Sequence, residues 1–174
     1  MNSPGMAAVI LAAGRGSRIG WLWPPKQLLS YGPYSILAHI IRTLGESGVL
    51  GNYYLVVNPW NRDYILDEAR KAGCHRCQAI VLWRYWEENG LSMIIGLKAA
   101  LVNNDMVILS MSDHIYPAQL VNKVVSMLET SECPIVMAVD GEPELVELNE
   151  ATKVLVRNGS VERVSKKLSE YNYV

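Results

Sequence analysis

The chain has 174 residues, half of them apolar and 19% charged, a balance that excludes a disordered segment and supports one sizeable core. Sixteen basic residues stand against 17 acidic ones, so there is no broad electrostatic footprint for nucleic acid or a membrane surface, and an anionic ligand must be held by a few placed cations. Three cysteines, an odd number in a chain that needs no bridges, point to a reducing, cytoplasmic location.

The start, MNSPGMAAVILAAG, has no basic n-region and reads as a first strand, Ala7 to Leu11, running into a tight loop. No stretch approaches the roughly 20 apolar residues of a membrane span. Ile36, Leu37, Ile40, Ile41 and Leu44 recur at one-face helical spacing between Pro33 and Gly45. Tyr53–Val57 is the second strand, ended by Asn58-Pro59, and residues 60–72 follow as a helix stopped by Gly73. Gln78–Trp83 is the third strand, and the polar turn Glu87-Glu88-Asn89-Gly90 leads into a helix over Ser92–Val102.

Met106–Leu109 forms a fourth strand running into Ser110-Met111-Ser112-Asp113, a helix spans Pro117–Leu128, and Ile135–Val139 is expected as a fifth strand. Further on, Asn158-Gly159 between Val154–Val156 and Val161–Val164 is a hairpin signal. The alternation of strands and helices predicts a Rossmann-like open α/β sheet, mixed but mostly parallel, covered by helices on both faces, with a small β-hairpin near the C-terminus. In such sheets ligand sites form beyond the carboxyl ends of the strands.

The segment Leu11-Ala12-Ala13-Gly14-Arg15-Gly16-Ser17-Arg18-Ile19-Gly20, followed by Pro25-Lys26, is the most informative. The dinucleotide fingerprint G-x-G-x-x-G fails at Ile19, and the G-K-[S/T] ending of a phosphate loop is absent. What remains is a small-residue loop, whose backbone N–H groups can approach a ligand closely, studded with Arg15, Arg18 and Lys26. Arg forks suit phosphate oxygens and Lys supplies a point charge. A merely solvated loop would be equally polar; the proline-fixed lysine favours phosphate binding.

These residues, LAAGRGSRIG and PKQLL, resemble the signature of the nucleoside-triphosphate transferases that activate sugar phosphates, polyol phosphates or phosphocholine. The resemblance implies that Leu11, Ala12, Ala13, Gly14, Gly16, Ser17 and Arg18 wrap a nucleoside triphosphate and that Lys26 binds its phosphates. It places Asn89, Gly90 and Ser92 against the base. Asp113, after an apolar strand, matches the position of a magnesium-binding aspartate; read from spacing alone it could instead precede the helix near Pro117, although four residues of separation make it a poor cap.

Ser112-Asp113-His114-Ile115-Tyr116, Ala151–Val154, Gly159, Lys166 and Tyr171-Asn172 are similar to a narrower group, the inositol-1-phosphate cytidylyltransferases. That likeness implies CTP and Mg²⁺, catalysis by Arg18, Lys26 and Asp113, and a phosphorylated small-molecule acceptor met by His114, Lys153 and Lys166. Alternative acceptors are phosphocholine or a sugar phosphate, and the alternative outside catalysis is a nucleotide-binding module. Residues 1–174 are then a nucleotidyltransferase domain that is C-terminally incomplete, since the superfamily's domain continues past Tyr171-Asn172 and supplies a second acidic metal ligand. The full protein could carry a fused membrane domain, and a homodimer is a possible assembly. Cys74-His75-Arg76-Cys77, between a helix and a strand, reads as an inert pair, and Trp21, Trp23, Trp83 and Trp86 as packing, contact or site-covering aromatics.

Overall fold

The computed structural model describes residues 5–14, 24–48, 51–85, 89–142 and 151–174. They fall into two compact units that divide between Asn122 and Lys123.

The first unit is built on a parallel sheet of four strands: β1 (Met6–Leu11), β4 (Tyr53–Val57), β5 (Cys77–Val81) and β6 (Met106–Met111), in the order β5-β4-β1-β6. A two-stranded antiparallel pair, β2 (Ser30–Tyr31) and β3 (Tyr34–Ser35), turns through Gly32-Pro33 and precedes helix α1 (Ile36–Glu46). The side chain of Ser35 accepts from the backbone N–H of Ala38, giving α1 a capped start. Helices α2 (Arg62–Lys71) and α3 (Asn89–Ala100) make the remaining crossovers, and α4 (Ala118–Thr130) straddles the boundary between the units.

Side chains alternate across the central strands, and both faces are apolar because both are covered. On one face Ala7, Val9, Leu11, Tyr54 and Val56 form a cluster with Leu91, Met93, Ile95, Ala99 and Ala100 of α3. Gly96 lets α3 settle onto the sheet: a Cβ there would lie 2.5 Å from Val9 Cγ1 and 2.8 Å from Val56 Cγ2. The opposite face, with Ile10 and Leu55 fully buried, is covered by α1 and α2, whose Leu37, Ile40, Leu44 and Ile65 are equally buried. The parallel sheet, with antiparallel pairs beside it and helices on both faces, is the mixed Rossmann-like architecture expected from the alternation.

In the second unit β7 (Lys153–Arg157) and β8 (Ser160–Ser165) form the expected antiparallel hairpin. Asn158 and Gly159 take φ values of 50° and 76°, the left-handed pair that a two-residue hairpin turn demands. The Asn172 side chain bonds both the N–H and the carbonyl of Val156, and Tyr173 bridges to Val154, so the last residues act as a short third strand.

The fifth strand expected at Ile135–Val139 is absent. That run has the composition of a strand but no ladder partner among the described residues, and Ile135 is 81% exposed; only Asp140 pairs its backbone, with Val174. A strand needs a neighbour as well as a propensity.

Candidate active site

The carboxyl ends of β1 and β6, neighbours in the sheet, bring the start of the loop, Lys26 and Asp113 to one place. β1 leads into Ala12, Ala13 and Gly14, and β6 into Ser112 and Asp113, with the Ser112 N–H donating to the Leu11 carbonyl at 3.3 Å. Lys26 opens a single 3-10 turn, Lys26–Leu28, behind Pro25, and its ammonium donates to Asp113 Oδ2 across 87 residues of sequence. The other carboxylate oxygen, Oδ1, pairs with His114 Nδ1 at 2.9 Å.

The His114 ring, followed by Lys26, holds the Asp113 carboxyl well below the usual carboxylate range, against the opposing effect of partial burial. Reciprocally, the bond to Asp113 raises the pKa of His114, against its own desolvation. Asp113 is therefore a firmly ionised carboxylate just beyond the carboxyl end of β6. Nearby, Tyr116 donates to Ser110 Oγ at 2.8 Å, and burial raises the pKa of its phenol. Asp105, at the opposite end of β6, is exposed, as its place in the sequence predicts.

Among the described residues no group of three or more His, Cys, Asp or Glu side chains gathers to cage a cation. A single ionised carboxylate nevertheless suits magnesium, which takes few protein oxygens and completes its shell with phosphate and water. Asp113 has that donor chemistry, at the price of exchanging its contacts with Lys26 or His114.

Gly14 is exposed and a Cβ there would meet nothing within 4 Å, so the described neighbours do not demand glycine at this position. Gly90 and Ser92 lie in the first turn of α3, which the β5–α3 connection starts at the carboxyl end of the sheet. Gly90 is exposed and Ser92 buried, and Asn89 is the first residue of the helix. Gly16, Ser17 and Arg18 lie outside the described residues, as do Arg15, Trp21, Trp23, Trp86 and Glu88. Lys153 and Lys166 belong to the second unit, where the Lys153 ammonium stands 5.1 Å from the Tyr171 ring centroid and Lys166 sits in the turn after β8.

Three amides that sequence reasoning passed over converge on the loop. Asn61 Nδ2 donates to the Ala12 carbonyl at 2.8 Å, Gln27 Nε2 to the same oxygen at 3.4 Å, and Asn58 Nδ2 to the Ala13 carbonyl at 3.0 Å. All three side chains are buried, and Gln27 Oε1 has no partner among the described residues. The sequence shows only a strand end and a helix start here; the signal that could have found them is two Asn three residues apart at the carboxyl end of a central strand.

Elsewhere, Cys77 Sγ donates to the Cys74 carbonyl at 3.2 Å, and burial pushes the Cys74 thiol up, so it stays protonated. A groove of about 550 Å³ lined by Tyr53, Gly73, His75 and Arg76 sits at the amino ends of β4 and β5, the opposite end of the sheet from Asp113. Among the described residues no helix is long and apolar enough to cross a membrane.

The profile of the MobA-like NTP transferase domain matches residues 8–164. Among curated proteins the chain is similar to the bifunctional IPC transferase and DIPP synthase of Archaeoglobus fulgidus, 31% identical over 97% of this chain and 31% of that protein. It is also 31% identical to the protein of the same name from Thermococcus kodakarensis, over 96% of this chain and 35% of the other. The chain thus spans about a third of the length of these relatives. Among solved structures, the inositol-1-phosphate CTP transferase from T. maritima has the same fold, with a TM-score of 0.82 at 21% identity, covering 99% of this chain and 69% of that one. The 4-diphosphocytidyl-2C-methyl-D-erythritol synthase from Anaerococcus prevotii follows at a TM-score of 0.65 and 17% identity, covering 98% and 68%.

Proposed function

Because the chain belongs to the MobA-like NTP transferase domain family, we propose that it transfers a cytidylyl group from CTP to the phosphate of inositol-1-phosphate, giving CDP-inositol and pyrophosphate. In this reading residues 1–174 are the nucleotidyltransferase domain of a longer protein. The observation that carries it is the meeting of Lys26 and Asp113 at the carboxyl ends of β1 and β6, beside the Ala12–Gly14 loop. The acceptor is inferred from the similarity along nearly the whole chain to the bifunctional IPC transferases.

A phosphate oxygen of the acceptor attacks the α-phosphorus of CTP; the new P–O bond forms as the bond to the β-phosphate oxygen breaks, and pyrophosphate leaves with that electron pair. The attacking oxygen is already anionic, so no strong general base is needed, and catalysis rests on positioning and charge stabilisation. Lys26 and Arg18 neutralise the triphosphate and the departing pyrophosphate. Leu11 to Gly14, with Gly16 and Ser17, wrap the nucleotide, and Asn89, Gly90 and Ser92 meet the base. Lys153 and Lys166 attract the acceptor phosphate, and His114 orients the polyol.

Asp113 would hold Mg²⁺, which when bound supplies charge neutralisation to the phosphates. On nucleotide binding Lys26 exchanges the Asp113 carboxylate for phosphate oxygens, freeing that carboxylate for its ligand role.

Pyrophosphate release measured with CTP, ATP, GTP and UTP against inositol-1-phosphate, phosphocholine and sugar 1-phosphates tests the proposal. Release with CTP and inositol-1-phosphate well above every other pair is the expected result. Preference for another pair overturns the substrate assignment, and triphosphate binding without release from any pair overturns the catalytic one.

A further inference from the structure

The conserved geometry of a parallel strand sends successive carbonyls to opposite sides, one toward each neighbouring strand. At the end of β1 this alternation breaks. The last ladder bond to β4 runs from the Ala12 N–H to the Val56 carbonyl, at 2.7 Å. Beyond it the Ala12 carbonyl is taken by Asn61 and the Ala13 carbonyl by Asn58, both from the segment that follows β4. Two consecutive carbonyls therefore face the same flank.

A trans peptide is planar, with its N–H antiparallel to its C=O. Fixing the carbonyls of Ala12 and Ala13 toward the β4 flank turns the N–H groups of Ala13 and Gly14 the other way, to the side of β6 and Asp113. Among the described residues neither N–H donates to a backbone carbonyl. Two successive N–H groups aimed in one direction make a concavity for an acceptor oxygen.

The amide pair is itself locked. Asn58 Oδ1 accepts from the N–H groups of Trp60 and Asn61, each at 2.9 Å, and Asn61 Oδ1 accepts from the Asn58 N–H at 3.0 Å. Each side chain thus uses its acceptor inward and spends its donor on the loop, a division that only an amide of this length can make. Asn61 also stands at the N-cap of α2, where an asparagine ordinarily accepts from the first turn of its helix; here its side chain makes no capping bond. Its acceptor is taken by the Asn58 N–H instead of the helix, and its donor by the loop.

We infer that Asn58 and Asn61 are positioning residues that orient the Ala13 and Gly14 N–H groups toward an acceptor oxygen of the bound nucleotide, in a phosphate or in the base. The inference rests on the nucleotide reading above and adds to it residues that touch no ligand. Its distinguishing experiment is Asn61→Asp, nearly isosteric, which keeps the acceptor toward Asn58 but sets a carboxylate oxygen against the Ala12 carbonyl. At pH 7.5 the variant is expected to bind CTP about tenfold more weakly than the parent. As the pH falls the introduced carboxyl protonates and regains a donor, so the ratio of variant to parent affinity recovers toward one. A packing defect would not follow that profile. Asn58→Asp makes the same test through Ala13 should the first variant fold poorly.

The parent chain offers a check without mutation. Amide proton resonances of Ala13 and Gly14 should move downfield on addition of CTP; tripolyphosphate alone reproduces the shift if the acceptor is a phosphate, and cytidine alone if it is the base. CTP binding that leaves both resonances in place, or variants within twofold of the parent at every pH, overturns the inference while leaving the nucleotide reading intact. A parent that binds none of the four nucleoside triphosphates overturns that reading, and the inference with it.

Discussion

At the scale of single residues, Asp113 gathers the most consequences. Its two oxygens face Lys26 and His114, three groups that sequence alone separates into two distant segments. Asp113→Ala should abolish pyrophosphate release while leaving a folded protein, because the carboxylate lies at a strand end and not in the core; undiminished release would refute its role. The pair with His114 also gives a pH dependence in the protein without ligands. Asp113 is depressed, so its contribution is present above ~4 and is lost as the pH falls through its folded value. His114 is raised, so its contribution is present below ~6.5 and is lost as the pH rises through its folded value. The stability difference between the parent and His114→Gln should therefore be largest between about pH 4 and 6.5 and vanish toward pH 9. Thermal midpoints across that range measure it, and a difference independent of pH would mean that the pairing is not ionic.

Among the elements, α3 is the one whose seat on the sheet is most tightly specified. It lies directly over β1 and β4, and Gly96 is its point of closest approach. Gly96→Ala would ordinarily favour a helix by up to 1 kcal/mol, but the added methyl cannot fit between Val9 and Val56 without moving them. Overpacking of this kind costs roughly 1–3 kcal/mol and wins. Denaturant unfolding should show a net loss, with a lower midpoint and an unchanged slope. Because α3 begins at the carboxyl end of the sheet, the same substitution should weaken CTP binding if α3 tilts, whereas equal affinity would show that the sheet gives way instead.

Across the whole molecule, Lys26 and Asp113 belong to the first unit, and the lysines proposed for the acceptor phosphate belong to the second. Lys166→Ala should raise the KM for inositol-1-phosphate several-fold with the KM for CTP unchanged, and the opposite pattern would remove Lys166 from the acceptor. Ligand linkage offers a measure independent of turnover. CTP with Mg²⁺ at one hundred times its dissociation constant should stabilise the fold by about 2.7 kcal/mol. A thermal midpoint unmoved by CTP at millimolar concentration would count against nucleotide binding altogether. Relatives about three times as long as this chain set the remaining comparison, in which one of them is assayed beside it on the same substrates.

Local pattern decided much of this protein. The apolar runs at β1, β4 and β6, the one-face spacing of α1 and the Asn158-Gly159 turn are written in neighbouring residues, and each element formed within a few positions of its signal. The loop-and-lysine pattern likewise marked the end of the sheet where Lys26 and Asp113 meet. Pairing was not written there. Ile135–Val139 has a strand's composition and forms no strand, since a ladder depends on a partner that no local window contains. Nor was the role of Asn58 and Asn61 legible: as residues they announce a turn, and their donors find Ala12 and Ala13 only because the sheet lays β4 beside β1. Covalent neighbours set periodicity and turns, while contacts across 45 or more residues depend on closing the chain into one sheet, so the site's side-chain network was decided by the tertiary structure alone.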